Sequence, residues 1–327
     1  MKKKLLTLLP ILCIPFAMSL TACSNKTRIG ILQFDEFDAL VAAKEGFEAG
    51  LKEGGLKNYT IDYKNGGGQD SDLQLYAKDL VDSCKLTLGI ATPAAKALKG
   101  ASDNAGYTKP ILYTAVTDPV DAKLIPDADN SSGYVCGTSD ANPVEEQIGL
   151  VKEFKASATK VGILYTQKET NSEVQAKQAE EAIKKAGMTA VTKTCLNASD
   201  VQATAEALIS ENVDAIYLPT DNNIAKNINA VKEAASSKQV LIVCGEEGML
   251  KDGGHVTLSI DYYSLGVTTG KMAAQILKGE KKPTDFPNQP VAAKDCSYAY
   301  SSKNLESAGL TMPDAMLAAH NWKDINA

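Results

Sequence analysis

Histidine, arginine and tryptophan are nearly missing from this chain. Its 327 residues include two histidines, His255 and His320, and one tryptophan, and Arg28 is the one arginine. Neither histidine has a cysteine or carboxylate at ligand spacing, so zinc sites and histidine-based triads have almost no raw material and no metal or cofactor is expected. No Gly-x-Ser-x-Gly segment marks a nucleophile elbow. Gly66, Gly67 and Gly68 are not followed by the lysine and hydroxyl residue of a phosphate-binding loop, which leaves them a flexible turn. The chain therefore reads as no enzyme. Long basic runs are absent too: 34 Lys and Arg face 40 Asp and Glu for a net charge of −6, which removes the footprint of a nucleic-acid binder.

What is present begins with an address. Lys2, Lys3 and Lys4 precede a mostly apolar run from Leu5 to Leu20, broken by Pro10 and Pro15 and short of the roughly 20 apolar residues that a spanning helix needs. Residues 1–22 read as a signal peptide. Leu20, Thr21, Ala22 and Cys23 resemble the bacterial lipobox, in which the cysteine is lipid-modified, so the mature chain is expected to start at Cys23 and to be anchored on the outer face of the cell membrane. Of seven cysteines, Cys84, Cys136, Cys195, Cys244 and Cys296 then remain. Five cannot all pair, and their strand-like surroundings suit small buried hydrophobes.

An apolar fraction of 44% supports a sizeable core, and the length suggests two compact units. Short strand-like runs alternate with helical ones from Arg28 onward, the pattern of an α/β fold with parallel strands. The pattern also repeats. Arg28-Ile-Gly-Ile-Leu32 recurs as Lys160-Val-Gly-Ile-Leu164, each followed by a helical stretch ending near Gly54 and Gly187, where a left-handed glycine can stop a helix. Asp72, Leu73, Gln74, Ala77, Leu80 and Val81 recur as Asp200, Val201, Gln202, Ala205, Leu208 and Ile209. Thr92 and Thr220 then close equivalent strands. Two copies of one unit predict two Rossmann-like lobes with parallel sheets, and extra elements after Val256 predict a hinge of several strands. The expected division is 23–138 with 258–285 for the N-terminal lobe, and 139–257 with 286–327 for the C-terminal lobe.

Open parallel sheets bind ligands beyond the carboxyl ends of their strands, where following helices present unpaired N–H groups. Facing lobes would put Phe34, Thr92 and Thr117 on one wall of a cleft and Tyr165, Asn171, Thr220 and Glu246 on the other. His255, after Gly253 and Gly254, reads as an exposed turn residue.

Several runs then narrow the identity: Ala91-Thr-Pro-Ala-Ala95, Thr114-Ala-Val-Thr-Asp-Pro119, Gly137-Thr-Ser-Asp140, Pro219-Thr-Asp-Asn222, Gly245-Glu-Glu-Gly248 and Asp261-Tyr-Tyr263. As a set they resemble the tryptophan and tyrosine binding branch of the ABC substrate-binding family, of the type I periplasmic-binding fold. The resemblance implies uptake of an aromatic amino acid and its delivery to a membrane permease energised by an ATPase. The ligand's carboxylate would seek hydroxyls and N–H groups at a helix start, which Thr92 with the amides after Pro93, or Asn171 with Ser172, can supply. Its ammonium would seek a carboxylate, for which Asp221 leads, Glu246 follows, and Glu247, Asp118 and Asp261 compete. Its ring would seek Phe34, Phe37, Tyr165 or Tyr262. Asp221 and Ser172 can equally be helix N-caps, and Tyr262 can equally be hinge packing. A sugar-binding protein of the same fold is disfavoured by the single arginine. A surface adhesin fits the lipid anchor as well.

If the anchor assignment is right, a radiolabelled fatty acid fed to expressing cells marks the wild-type protein and leaves Cys23→Ala unmarked. Label on the variant would refute it.

Overall fold

The structure, a computed structural model, describes residues 26–129, 133–236, 238–290 and 293–327. The expected signal peptide and Cys23 lie outside the described residues.

The first repeat copy forms β1 (Thr27–Gln33), α1 (Asp38–Glu53), β2 (Tyr59–Asn65), α2 (Asp70–Ser83), β3 (Leu86–Ile90), α3 (Thr92–Ala105), β4 (Ile111–Val116) and β5 (Val135–Ser139). β3, β4 and β5 are buried along their whole length. That suits the largely apolar runs of β3 and β4, since a parallel sheet is covered by helices on both faces, while β5 is buried although it ends in Gly137, Thr138 and Ser139. The second copy forms α4 (Val144–Phe154), β6 (Lys160–Thr166), α5 (Thr170–Lys185), β7 (Thr189–Cys195), α6 (Val201–Ile209), β8 (Ala215–Leu218), α7 (Asn222–Lys226), α8 (Ile228–Ser236), β9 (Leu241–Cys244), α9 (Met249–Asp252) and β10 (Val256–Ser259). After it come α10 (Tyr262–Leu277), β11 (Gln289–Pro290), β12 (Ser297–Tyr300) and, near the end, β13 (Trp322–Asp324).

Two sheets result, in the orders β11-β5-β4-β3-β1-β2 and β13-β12-β10-β9-β8-β6-β7. Every strand pairing is parallel apart from that of β10 with β12, so β12 and β13 run opposite to the rest of their sheet. The repeat has a packing cause. A Cβ at Gly30 in β1 would meet Leu80 of α2 at 3.1 Å, and one at Gly162 in β6 would meet Leu208 of α6 at 2.6 Å, so the same glycine admits the same leucine in both lobes. The helix stops differ slightly. Gly187 is left-handed at φ 71°, but in the first copy the left-handed residue is Gly55 at 73°, and Gly54 sits at −71°.

Among the described residues the chain passes between the sheets three times: from β5 to α4, from β10 to α10, and from β11 to β12. Two bounds differ from expectation: β10 keeps Leu258 and Ser259 in the second sheet, where 258 was expected to open the return to the first lobe, and β11 places Gln289–Pro290 beside β5 in the first, where 286–327 was expected in the second. α10 leaves the second sheet to pack on the first lobe against α1. The contact is made of glycine. A Cβ on Gly46 or Gly50 of α1 would meet Tyr263 O at 2.0 Å or Val267 O at 2.2 Å, and one on Gly266 or Gly270 of α10 would meet Ala43 O at 2.1 Å or Phe47 O at 2.2 Å. The two backbones therefore touch directly, which fixes where the first turns of both helices point.

His255 departs from the sequence reading. It is 1% exposed, and its Nδ1 accepts the Ile242 N–H at 3.0 Å while its own N–H donates to Ile242 O. The ring thus completes the ladder where β9 and β10 begin. Burial holds its pKa down at about 4, so it is neutral at physiological pH and its proton is assigned to Nε2. Cys84, Cys136, Cys195 and Cys244 are buried, and burial pushes the Cys136 thiol up to about 12.

Gly270→Ala should destabilise the ligand-free protein by about 1–3 kcal/mol, the usual cost of overpacking. Gly100→Ala, in α3 with open space around it, should be neutral or raise stability by roughly 0.5–1 kcal/mol. Urea denaturation of both variants checks this, and equal effects would contradict the close-contact account.

Candidate functional site

Between the carboxyl ends of the two sheets lies a cavity. Phe37, Leu40, Ala225 and Met249 supply apolar surface, and Thr92, Thr117, Asp140, Asn171, Thr220, Asn222, Glu246 and Tyr262 supply polar groups. The lobes close over it. Lys226 of α7 pairs with Asp35 at 2.6 Å, Lys251 of α9 with Asp38 at 3.1 Å, and the Thr117 and Thr220 hydroxyls lie 3.3 Å apart.

The first lobe offers donors. β3 is followed by Ala91, which is left-handed at φ 74° and precedes α3, a helix that no side chain caps. Thr92 and Pro93 open it, so its first free N–H groups and the positive end of its dipole lie at the cavity wall. Ala115, another wall residue, is also left-handed at 54°, where the β4–β5 register shifts. Strain of this kind is held in place by its surroundings and concentrates at functional sites. Asp140 follows β5 and accepts from the Thr117 hydroxyl at 3.0 Å and the Tyr262 hydroxyl at 2.8 Å. Burial nonetheless raises its pKa.

The second lobe offers acceptors. Glu246 follows β9 and is 3% exposed. Its Oε2 accepts the Gly248 N–H at 2.6 Å, but its Oε1 is buried with no hydrogen-bond partner. Burial pushes its pKa up to about 7, with the Asp38 and Glu247 carboxylates adding to the rise against the backbone donors of Gly248 and Met249. Asp221 is differently placed. It caps α7 through the Ile224 N–H at 2.9 Å and takes the Thr166 N–H at 2.6 Å and the Thr166 hydroxyl at 2.8 Å. Both of its oxygens are committed to bracing β6 against α7.

Thr92, Thr117, Asn171, Thr220, Asp221, Glu246 and Tyr262 all line the cavity. Phe34 does not; it faces the wider outer groove between the lobes, and Phe37 takes the inner position. Ser172 is buried beside the Asn171 amide, 3.3 Å away, and Tyr165 is half-buried against the second-lobe core. The other competing carboxylates are occupied elsewhere: Asp261 caps α10, Asp118 holds the N–H groups of Val120 and Asp121, and Glu247 pairs with Lys323 at 2.5 Å. Sequence reasoning missed Asp140, Asn222 and Met249. Asp140 was findable, since it ends a strand as Thr117 and Glu246 do.

Two α/β lobes joined by three crossings around a closed polar and apolar cavity define a solute-binding protein of the type I periplasmic-binding fold. The chain belongs to the ABC transporter substrate binding protein family, whose model matches residues 28–322. It is 34% identical over 271 residues, 82% of this chain and 77% of the relative, to a tyrosine-binding protein of Clostridioides difficile strain R20291. It is similar to an ABC domain of Streptococcus pneumonia in complex with L-Trp, at 33% identity and a TM-score of 0.84 over 91% of this chain and 99% of that one. A ligand-free, open substrate binding protein with adhesive properties from Clostridium difficile is 30% identical over the same shares, with a TM-score of 0.68. Among the described residues no helix is long and apolar enough to cross a membrane.

Because both Asp221 oxygens accept from fixed donors, an amide there turns its NH₂ group against at least one of them. Asp221→Asn should therefore lower the stability of the ligand-free protein by about 1–3 kcal/mol. An unchanged melting curve would show that the brace is dispensable.

Proposed function

We propose that this protein is the extracytoplasmic substrate-binding lipoprotein of an ABC importer. It captures tryptophan or tyrosine between its lobes, is tethered by lipid on Cys23, and hands the ligand to a permease energised by an ATPase. One observation carries the amino-acid reading: the unpartnered Glu246 Oε1, buried in a closed cavity opposite the uncapped start of α3. A buried carboxylate without a cation is costly, and a ligand ammonium supplies that cation. The ligand's carboxylate meets the α3 amides and the Thr92 hydroxyl, and Phe37, Leu40, Met249 and Tyr262 bury the ring. Glu246 thus replaces Asp221, the leading candidate from sequence, as the ammonium partner.

Closure follows from the same charges. With the cleft empty, ionised Glu246 is better hydrated when the lobes part, and a bound ammonium removes that preference, so ligand shifts the population toward the closed form. The tyrosine-binding relative and the L-Trp complex support the choice of ligand. A second role in adhesion has one observation in its favour, the adhesive properties named for the relative from Clostridium difficile.

A melting-temperature screen of the purified mature chain against amino acids and sugars tests the reading, because ligand at 100 times its Kd adds about 2.7 kcal/mol. Tryptophan or tyrosine should stabilise the protein, and stabilisation by sugars alone would overturn the proposal. The pH dependence has a definite sign. Glu246 titrates near 7 in the empty site and must be ionised to pair, so affinity is full above about pH 7 and falls as protons compete below it. Calorimetry should show roughly 30-fold weaker binding at pH 5.5 than at pH 8. Glu246→Gln should lose about 30-fold or more at pH 8, the cost of removing one side of a buried charged pair, and should flatten the profile. A normal profile in that variant would remove Glu246 from the site.

A further inference from the structure

We propose that Asn171 reads a hydrogen-bond donor on the ligand's ring, the indole N–H or phenol O–H, and thereby excludes phenylalanine. This assignment rests on the aromatic amino-acid reading. Asn171 opens the first turn of α5, lines the cavity and is 5% exposed. Its Nδ2 donates to Thr220 O at 2.6 Å, to Glu169 Oε2 at 3.2 Å and to Ser172 Oγ at 3.3 Å. Its Oδ1 is buried and accepts from nothing.

The orientation of that amide is fixed by chemistry. Turning it over would set Oδ1 against the Thr220 carbonyl, which can only accept, so the oxygen must occupy the unpartnered side. Glu169 holds the arrangement in turn, since its carboxylate is anchored by the N–H groups of Asn222 and Asn223, both at 3.0 Å. Leaving an acceptor buried and unpaired is costly, and a ligand donor recovers that cost.

Among the described residues lining the cavity, two buried side-chain acceptors lack a partner, Glu246 Oε1 and Asn171 Oδ1. They differ in charge. The carboxylate suits an ammonium, and the neutral amide suits a neutral donor. The Tyr262 and Thr117 hydroxyls can also accept, but each already gives its proton to Asp140, so neither is left unpaired when the ligand lacks a ring donor. A site built around a ligand N–H or O–H rejects the analogue lacking it far more strongly than an apolar pocket rejects a change of size, because its own polar group is then left unpaired.

Calorimetry with ligand pairs tests this without depending on any variant's folding. Tyrosine is compared with phenylalanine, and tryptophan with 3-benzothienylalanine, in which sulfur replaces the ring N–H at nearly constant shape. For whichever of tyrosine and tryptophan binds, the wild type should prefer the donor-bearing member of the pair by about 100-fold or more. Asn171→Leu should reduce that preference to within about fivefold, mainly by losing affinity for the donor-bearing ligand while the donor-free one binds as before. A wild-type preference below fivefold overturns the assignment, as does an Asn171→Leu variant that loses both members of a pair equally, which would place Asn171 on the ammonium. If the wild type binds none of the four, the amino-acid reading itself falls and the assignment goes with it.

Discussion

A carboxylate buried with no cation beside it is the constraint on which the cleft depends. Glu246 sits where other negative charges add to the cost of its burial, so the closed and empty site is unfavourable once the group ionises near neutral pH. In the reading we propose, an amino-acid ligand reverses this: its ammonium is the missing counter-charge and its carboxylate answers the donors on the opposite lobe. The polarity is divided between the lobes, with uncapped helix donors on the first and unpartnered acceptors on the second. A ligand carrying both signs therefore touches both walls, and a ligand carrying one sign leaves the other wall unsatisfied.

The division is useful only if the walls are held still. On the first lobe the glycine contact between α1 and α10 brings two backbones together, which sets Phe37 and Leu40 at the start of one helix and Tyr262 at the start of the other. α10 is reached directly from β10 of the second sheet, so the Tyr262 hydroxyl meets Asp140 beside the crossings. On the second lobe Asp221 braces β6 against α7, and Gln147 of α4 spans the Gly245 and Leu258 carbonyls at 3.1 and 2.8 Å, fixing the chain just before Glu246. The ion pairs of Lys226 and Lys251 lie at the rim. They are partly solvated and contribute modestly, while the desolvated groups inside decide what is bound.

Much of the fold was legible because parallel strands buried on both faces leave an apolar signature and because the unit occurs twice. The matched Gly30 and Gly162 register one packing solution used in two places. β11 was not legible, since a two-residue edge strand is an event of pairing and leaves no periodicity. His255 was misread for a related reason: flanking glycines suggest a turn, and only the tertiary ladder shows the ring standing in for a backbone acceptor. Within the site, strand-end position pointed to Thr92, Thr117, Thr220, Asp221 and Glu246 of the lining, but it ranked Asp221 ahead of Glu246. Asp221 and Glu246 each end a strand of the second copy. What separates them is which oxygens already have partners, and that is a property of the folded backbone.

The most direct test is a high-resolution crystal structure with bound tryptophan or tyrosine, whichever binds more tightly. It should place the ligand's ammonium within hydrogen-bonding distance of Glu246 Oε1, with its carboxylate at the start of α3 beside Thr92. An ammonium seated on Asp221 or Asp140, with Glu246 Oε1 still unpartnered, would contradict the account.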